Sequence, residues 1–215
     1  MENAAQIVGR GPVIPVVVVE APEDAPPLAM ALLAGGIRVI EITLRTPRAL
    51  EAVALVARGV PDIAVGVGSV LDPTQLAAAR DAGAQFVVTP GTPPALAEAL
   101  LQTGLPALPG CCTLSEILML RSAGFRHVKF FPAEPAGGAA YLKAVAGPVA
   151  DMRFCPTGGI DLARAPAYLA LPNVACVGGS WLAPESRIRA RDWTGITELA
   201  RQTLAALGPR SNQTA

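Results

Sequence analysis

Short apolar runs rich in Val and Ile alternate along this chain with longer Ala- and Leu-rich segments of helical period. The runs are Val13–Val19, Val39–Leu44, Ile63–Val67, Phe86–Val88, Leu105–Leu108, His127–Phe131, Met152–Cys155 and Val174–Val177. The helical segments are Asp24–Ala34, Pro47–Arg58, Pro73–Ala82, Pro93–Gln102, Leu114–Ser122, Gly138–Ala146, Leu162–Leu169 and Asp192–Leu207. Apolar side chains on consecutive positions mark strands buried on both faces, and strands separated by helices read as a mostly parallel sheet. Eight such units in succession close most economically as a (β/α)8 TIM barrel. The competing arrangement is a doubly wound open sheet. It would place a Gly-rich fingerprint after the first strand, where this chain has Glu20-Ala21-Pro22-Glu23-Asp24.

Local punctuation agrees with this order. Thr46-Pro47, Asp72-Pro73, Thr92-Pro93 and Asp161-Leu162 set a capping oxygen beside Pro or a helical run. Gly35-Gly36, Gly83, Gly104, Gly124 and Gly147 fall at helix ends, where a left-handed cap favours glycine. No linker or composition shift divides the chain. Residues 1–207 are expected to form a single domain, and residues 208–215 a flexible C-terminal tail that contains Asn212-Gln213-Thr214.

Composition narrows the function classes. Hydrophobic residues at 52% against charged residues at 16% exclude disorder and supply a well-filled core. Seventeen basic and 17 acidic side chains cancel, leaving no electrostatic footprint for nucleic acid, and aromatics at 4% are too sparse for base stacking. Val13–Val19 is far shorter than the ~20 residues of a membrane helix and contains Pro15. Met1-Glu2-Asn3 lacks the basic and apolar stretches of a signal peptide, so a cytoplasmic protein without a membrane partner is expected. Cys111, Cys112, Cys155 and Cys176 have neither metal-ligand nor disulfide-framework spacing, and His127 is the single histidine. Buried reduced thiols and no metal are expected.

One asymmetry points to chemistry. Of the 17 basic residues only Lys129 and Lys143 are lysines, and an amine can do chemistry that a permanently protonated guanidinium cannot. Lys143 sits in a helical stretch and reads as solvated. Lys129 lies in the strand His127-Val128-Lys129-Phe130-Phe131, where alternation points it with Phe131 away from Val128 and Phe130. Enclosure there strips water from the amine, which favours its neutral, nucleophilic form, able to condense with a ketone as a Schiff base. A snorkelling or salt-bridged lysine is the plainer alternative.

Barrel active sites lie at the C-terminal ends of strands. Glu41 stands inside the strand Val39-Ile40-Glu41-Ile42-Thr43-Leu44, where a carboxylate needs a partner; an ion pair with Arg45 is the structural alternative to a proton-transfer role. The last two strands end in Pro156-Thr157-Gly158-Gly159-Ile160 and Val177-Gly178-Gly179-Ser180-Trp181. Barrels commonly hold phosphate in those two loops, and paired glycines let backbone approach an anion. Gly66-Val67-Gly68-Ser69, Thr89-Pro90-Gly91-Thr92 and Pro109-Gly110-Cys111-Cys112-Thr113 add further small polar loops. One amine, one carboxylate, one arginine and several hydroxyls around a cup indicate amine-based carbon chemistry on a small phosphorylated keto acid.

The segments Glu41-Ile42-Thr43-Leu44-Arg45-Thr46, Val128-Lys129-Phe130-Phe131-Pro132-Ala133-Glu134, Arg153-Phe154-Cys155-Pro156-Thr157-Gly158-Gly159-Ile160 and Gly178-Gly179-Ser180-Trp181 resemble those of the 2-keto-3-deoxy-6-phosphogluconate (KDPG) and 4-hydroxy-2-oxoglutarate (KHG) class I aldolases. The resemblance runs in order from about Val13 to Pro184. It implies Lys129 as the Schiff-base residue and Glu41 as general acid–base, with cleavage to pyruvate and glyceraldehyde 3-phosphate. It also implies Arg45, Ser69, Pro90 and Thr157 around the keto-acid end, and Gly158, Gly159, Gly179 and Ser180 around the phosphate. A homotrimer without metal or other cofactor follows from the same resemblance. The chain departs from the family pattern at Ser69, where threonine is commoner, and at Pro135-Ala136-Gly137-Gly138, where the family has Ala-Asn-Gly-Gly. Other readings are a KHG or 2-keto-3-deoxy-6-phosphogalactonate aldolase, a phosphate-binding isomerase or decarboxylase with an electrostatic lysine, and a non-catalytic phosphosugar-binding protein.

Overall fold

A computed structural model describes residues 3–208. The eight expected strands occur as nine segments: β1 (Val13–Val17), β2 (Val39–Thr43), β3 (Ala64–Gly68), β4 (Phe86–Val88), β5 (Ala107–Leu108), β6 (Gly110–Cys111), β7 (His127–Phe130), β8 (Arg153–Pro156) and β9 (Val177–Gly179). The fifth expected strand is split because Pro109 has no N–H for the ladder. Its carbonyl stays in use, accepting from Lys129 N at 2.9 Å. Every pairing is parallel. The order β5-β4-β3-β2-β1-β9 continues into β6-β7-β8 through Pro109, and the bridges Phe154–Val174 and Thr157–Gly178 join the two free edges. The sheet returns on itself as the expected (β/α)8 barrel.

Strand alternation sorts the side chains into two cores. Val13, Val17, Ile40, Ile42, Val65, Val67, Val87, Val128, Phe130 and Phe154 face outward and pack with the helices. A smaller cluster of Ile14, Val39, Ala64, Phe86, Val88, Leu108, Cys155 and Cys176 fills the lower barrel. Glu41 is two residues beyond Val39, and Thr157 two beyond Cys155, so both continue the inward rows toward the C-terminal mouth.

The helices are α1 (Ala4–Val8), α2 (Ala25–Ala34), α3 (Ala49–Gly59), α4 (Thr74–Asp81), α5 (Pro94–Gln102), α6 (Leu114–Ser122), α7 (Gly138–Val145), α8 (Ala165–Leu169), α9 (Glu185–Arg189) and α10 (Trp193–Leu207). Neither α1 nor α9 is expected from the pattern, because five residues are too few to display a helical period. A reciprocal capping box between Asn3 and Gln6 starts α1. Its Ile7 and Val8 enter the inner cluster and close the barrel floor. Ile7→Ala should therefore cost about 2–4 kcal/mol, read as a lower urea midpoint with unchanged slope.

Some punctuation acts differently from expectation. Thr92 does not cap α5; its hydroxyl donates to Gly110 O at 2.9 Å and meets Thr89 Oγ1 at 2.7 Å. Gly36, Gly83, Gly104 and Gly124 are left-handed as expected. Gly35 is not: at φ −82° it serves close packing, since a Cβ there would lie 2.4 Å from Ala200 Cβ on α10. No helix among the described residues is long and apolar enough to cross a membrane. Residues 209–215 of the expected tail, with Asn212-Gln213-Thr214, lie outside the described residues, as do Met1 and Glu2.

Candidate active site

Two charged side chains meet inside the barrel. Lys129 Nζ donates to Glu41 Oε1 at 3.2 Å, across 88 residues of sequence. Lys129 is 5% exposed and Glu41 3%. Neither charge could be left alone at that depth, because removing one member of a buried pair leaves the other without compensation. The carboxylate's partner is thus the lysine. Arg45 has a different role, its Nε donating to Ser69 Oγ at 3.3 Å. The salt-bridged alternative for Lys129 is present in fact, with a partner able to exchange a proton with it.

Space for the pair comes from glycine. A Cβ on Gly68 would lie 2.0 Å from Glu41 Oε1, so only a residue without a side chain lets the carboxylate occupy this position. Phe131 shares the inward side with Lys129, as alternation requires, and its ring centroid is 5.4 Å from Nζ. Cys111 donates weakly to Lys129 O at 3.5 Å. Burial pushes its thiol pKa up, so it stays protonated and inert. Cys111, Cys155 and Cys176 are buried, whereas Cys112 is only half-buried, a departure from the expected burial of all four.

The loops above the pair carry the remaining expected residues. Arg45 is exposed beyond β2, and Ser69 is half-buried just beyond β3 with a left-handed φ of +60°. That conformation disfavours a side chain by about 1–2 kcal/mol, so its use here sets the hydroxyl's direction. Pro90 is half-buried after β4, and its carbonyl would lie 2.4 Å from a Cβ on Gly110, the ladder partner of Lys129. Thr89 Oγ1 accepts from Gly110 N at 2.8 Å and holds this loop. Thr157 is buried at the end of β8, under Gly178, where a Cβ would come within 2.2 Å of its hydroxyl.

Gly158 and Gly159 are left-handed at φ +102° and +78°. Gly179 is buried, and Ser180 is exposed at the rim. Lys143 is exposed on α7 and takes no part. One buried hydroxyl escaped the sequence reading. Thr43 donates to Val17 O at 3.1 Å and is fully buried on the inward row of Glu41; alternation from Glu41 was the signal for it. Among the described residues no group of three or more His, Cys, Asp or Glu is placed to hold a metal.

A closed parallel barrel with an amine and a carboxylate in contact below its mouth defines a lysine-dependent barrel enzyme. The family of KDPG and KHG aldolases matches the chain over residues 4–199. The chain is 49% identical over 203 residues to a 2-dehydro-3-deoxy-phosphogluconate aldolase from Dickeya dadantii, covering 94% of this chain and 95% of that one. It is also similar to a crystal structure of the KDPG aldolase of Legionella pneumophila with pyruvate captured as a covalent carbinolamine intermediate. That match has a TM-score of 0.92 at 44% identity and covers 94% and 98% of the two chains. A Zymomonas mobilis KDPG aldolase with 3-phosphoglycerate matches at a TM-score of 0.89 and 40% identity, over 98% and 97% of the chains. The chain belongs to the KDPG and KHG aldolase family.

Proposed function

We propose that this protein is a class I aldolase that cleaves KDPG to pyruvate and glyceraldehyde 3-phosphate. The observation that carries the reading is the 3.2 Å contact between two buried groups, one a nucleophile and the other a proton carrier. Its similarity to the Legionella enzyme, with its covalent carbinolamine, supports the same chemistry.

Lys129 gives a proton to Glu41, and its nitrogen adds to the C2 carbonyl to form a carbinolamine. Loss of water, assisted by a proton from Glu41, leaves a protonated imine. Glu41 then takes the proton of the C4 hydroxyl, the C3–C4 bond breaks, and its electrons move into the iminium as an enamine. Glyceraldehyde 3-phosphate leaves. The enamine takes at C3 the proton that Glu41 removed from the C4 hydroxyl, and water then hydrolyses the iminium to release pyruvate and the lysine amine. No metal is required, since the iminium is the electron sink.

In this reading Arg45 holds the keto-acid carboxylate with the Ser69 and Thr157 hydroxyls, and Pro90 walls that end of the cup. Gly158, Gly159, Gly179 and Ser180 receive the phosphate. An NADH-coupled assay of pyruvate release from KDPG tests the activity, and absence of turnover would overturn it. Gly68→Ala should reduce kcat by about tenfold to a hundredfold while the fold persists, because it displaces Glu41. The circular dichroism spectrum and thermal midpoint check the second half of that expectation.

The family's second substrate, KHG, is a further reading favoured by the family match itself. KHG carries no phosphate, which separates the two activities. Ser180→Ala should raise KM for KDPG by about fivefold to tenfold and leave KHG cleavage within about twofold. Equal loss on both substrates would remove Ser180 from the phosphate site. We also read residues 1–207 as one domain and the protein as a cytoplasmic homotrimer. Cysteine thiols such as Cys111, Cys112 and Cys155 fit a reducing compartment, and light scattering after size exclusion tests the trimer.

A further inference from the structure

Behind the phosphate-loop glycines stands a carboxylate that the reaction does not use. Glu134 follows β7, the strand of Lys129. Its backbone N–H donates to Gly158 O at 3.1 Å, and its Cβ and Cγ would lie 2.8 Å from a Cβ on Gly159. The carboxylate accepts a short hydrogen bond from the Tyr168 hydroxyl and pairs with Arg164 Nε at 3.4 Å. Arg164 also pairs with Asp161, whose Oδ1 accepts the Arg164 N–H at 2.9 Å. Tyr168 is 1% exposed and fixed in α8, and burial followed by the Glu134 contact pushes its phenol pKa up, so it remains a donor.

An acid against a loop that receives a phosphate opposes binding unless its charge is offset and it does structural work there. Arg164, shared with Asp161, offsets part of that charge, and Tyr168 supplies the fixed anchor. Resting on the aldolase reading above, we propose that Glu134, held by Tyr168 and Arg164, is a positioning residue that sets the Gly158-Gly159 loop for the substrate phosphate and ties it to the strand carrying Lys129. None of the three need touch the substrate.

The test compares KDPG turnover with pyruvate-dependent inactivation by borohydride, which needs the lysine but no phosphate. Tyr168→Phe keeps the buried ring and removes the donor. Arg164→Ala removes the offsetting charge. Each should raise KM for KDPG by about fivefold or more, with kcat within about twofold and the pyruvate inactivation rate unchanged. Arg164→Lys should restore most of the KM. Adding Glu134→Gln to Arg164→Ala should also recover part of it, because the unneutralised charge is then gone. Unchanged KM in both single variants would overturn the proposal, as would a loss falling equally on pyruvate inactivation. Wild-type protein that pyruvate and borohydride do not inactivate would overturn the aldolase reading instead, so the two failures are distinct.

Discussion

Treated with pyruvate and borohydride, the wild-type protein should acquire one reduced pyruvyl adduct, located by peptide mapping at Lys129, and lose its aldolase activity. Lys143, exposed on α7, should remain unmodified. Lys129→Ala should take up no adduct and lose on the order of 10⁴-fold or more in kcat, because the nucleophile of a covalent mechanism is removed. A labelled Lys143, or an active Lys129→Ala, would end the Schiff-base assignment. The same substitution leaves Glu41 buried without its counter-charge, a loss of about 3–5 kcal/mol in comparable pairs. The double variant Lys129→Met with Glu41→Gln removes that penalty. It should be inactive yet more stable than Lys129→Ala, which separates lost chemistry from lost folding.

Glu41→Gln is the second large effect. Glutamine keeps the size and an acceptor oxygen near Nζ but cannot carry the proton. We expect kcat to fall by about 10²- to 10⁴-fold, while KM for KDPG changes little because the amide fills the same space. Pyruvate trapping should still occur at Lys129, more slowly, since imine formation needs the same proton transfers as cleavage. Single-turnover trapping against steady-state kcat gives the comparison. A kcat within about threefold of wild type would reduce Glu41 to the lysine's structural counter-ion.

The barrel was legible because its strands are apolar without alternation and its helices follow at even intervals. Leu114–Ser122 has the bounds that the sequence suggests, and its capping box of Thr113 and Glu116 shows why that end is sharply defined. The last strand was displaced. Val174–Val177 reads as the apolar run, yet the ladder uses Val177–Gly179 and keeps Val174 as a bridge, because glycine carries no strand signal although its backbone pairs fully. The split fifth strand has the same kind of cause, in a proline whose carbonyl pairs although its nitrogen cannot.

At the site, Lys129 stood out by its rarity and its enclosure. Its partner was less evident. Arg45 is four residues from Glu41 and looks like the nearer counter-ion, but β2 ends at Thr43 and leaves Arg45 outside the barrel. Pairing Glu41 with Lys129 requires the closed sheet. The Glu134, Tyr168 and Arg164 cluster is tertiary in the same sense, since three residues from two loops and a short helix leave no local pattern.

The floor that α1 lays across the barrel has a kinetic consequence. With Ile7 and Val8 packed across one end, the barrel is a well with one door, and the products of the proposed reaction should leave shallowest first. In the proposed mechanism the three-carbon aldehyde departs past the rim, while the keto acid stays tethered at the bottom until hydrolysis frees it. Product inhibition should therefore follow an ordered uni-bi pattern: pyruvate, released last, competes with the substrate for free enzyme, and the aldehyde phosphate inhibits noncompetitively.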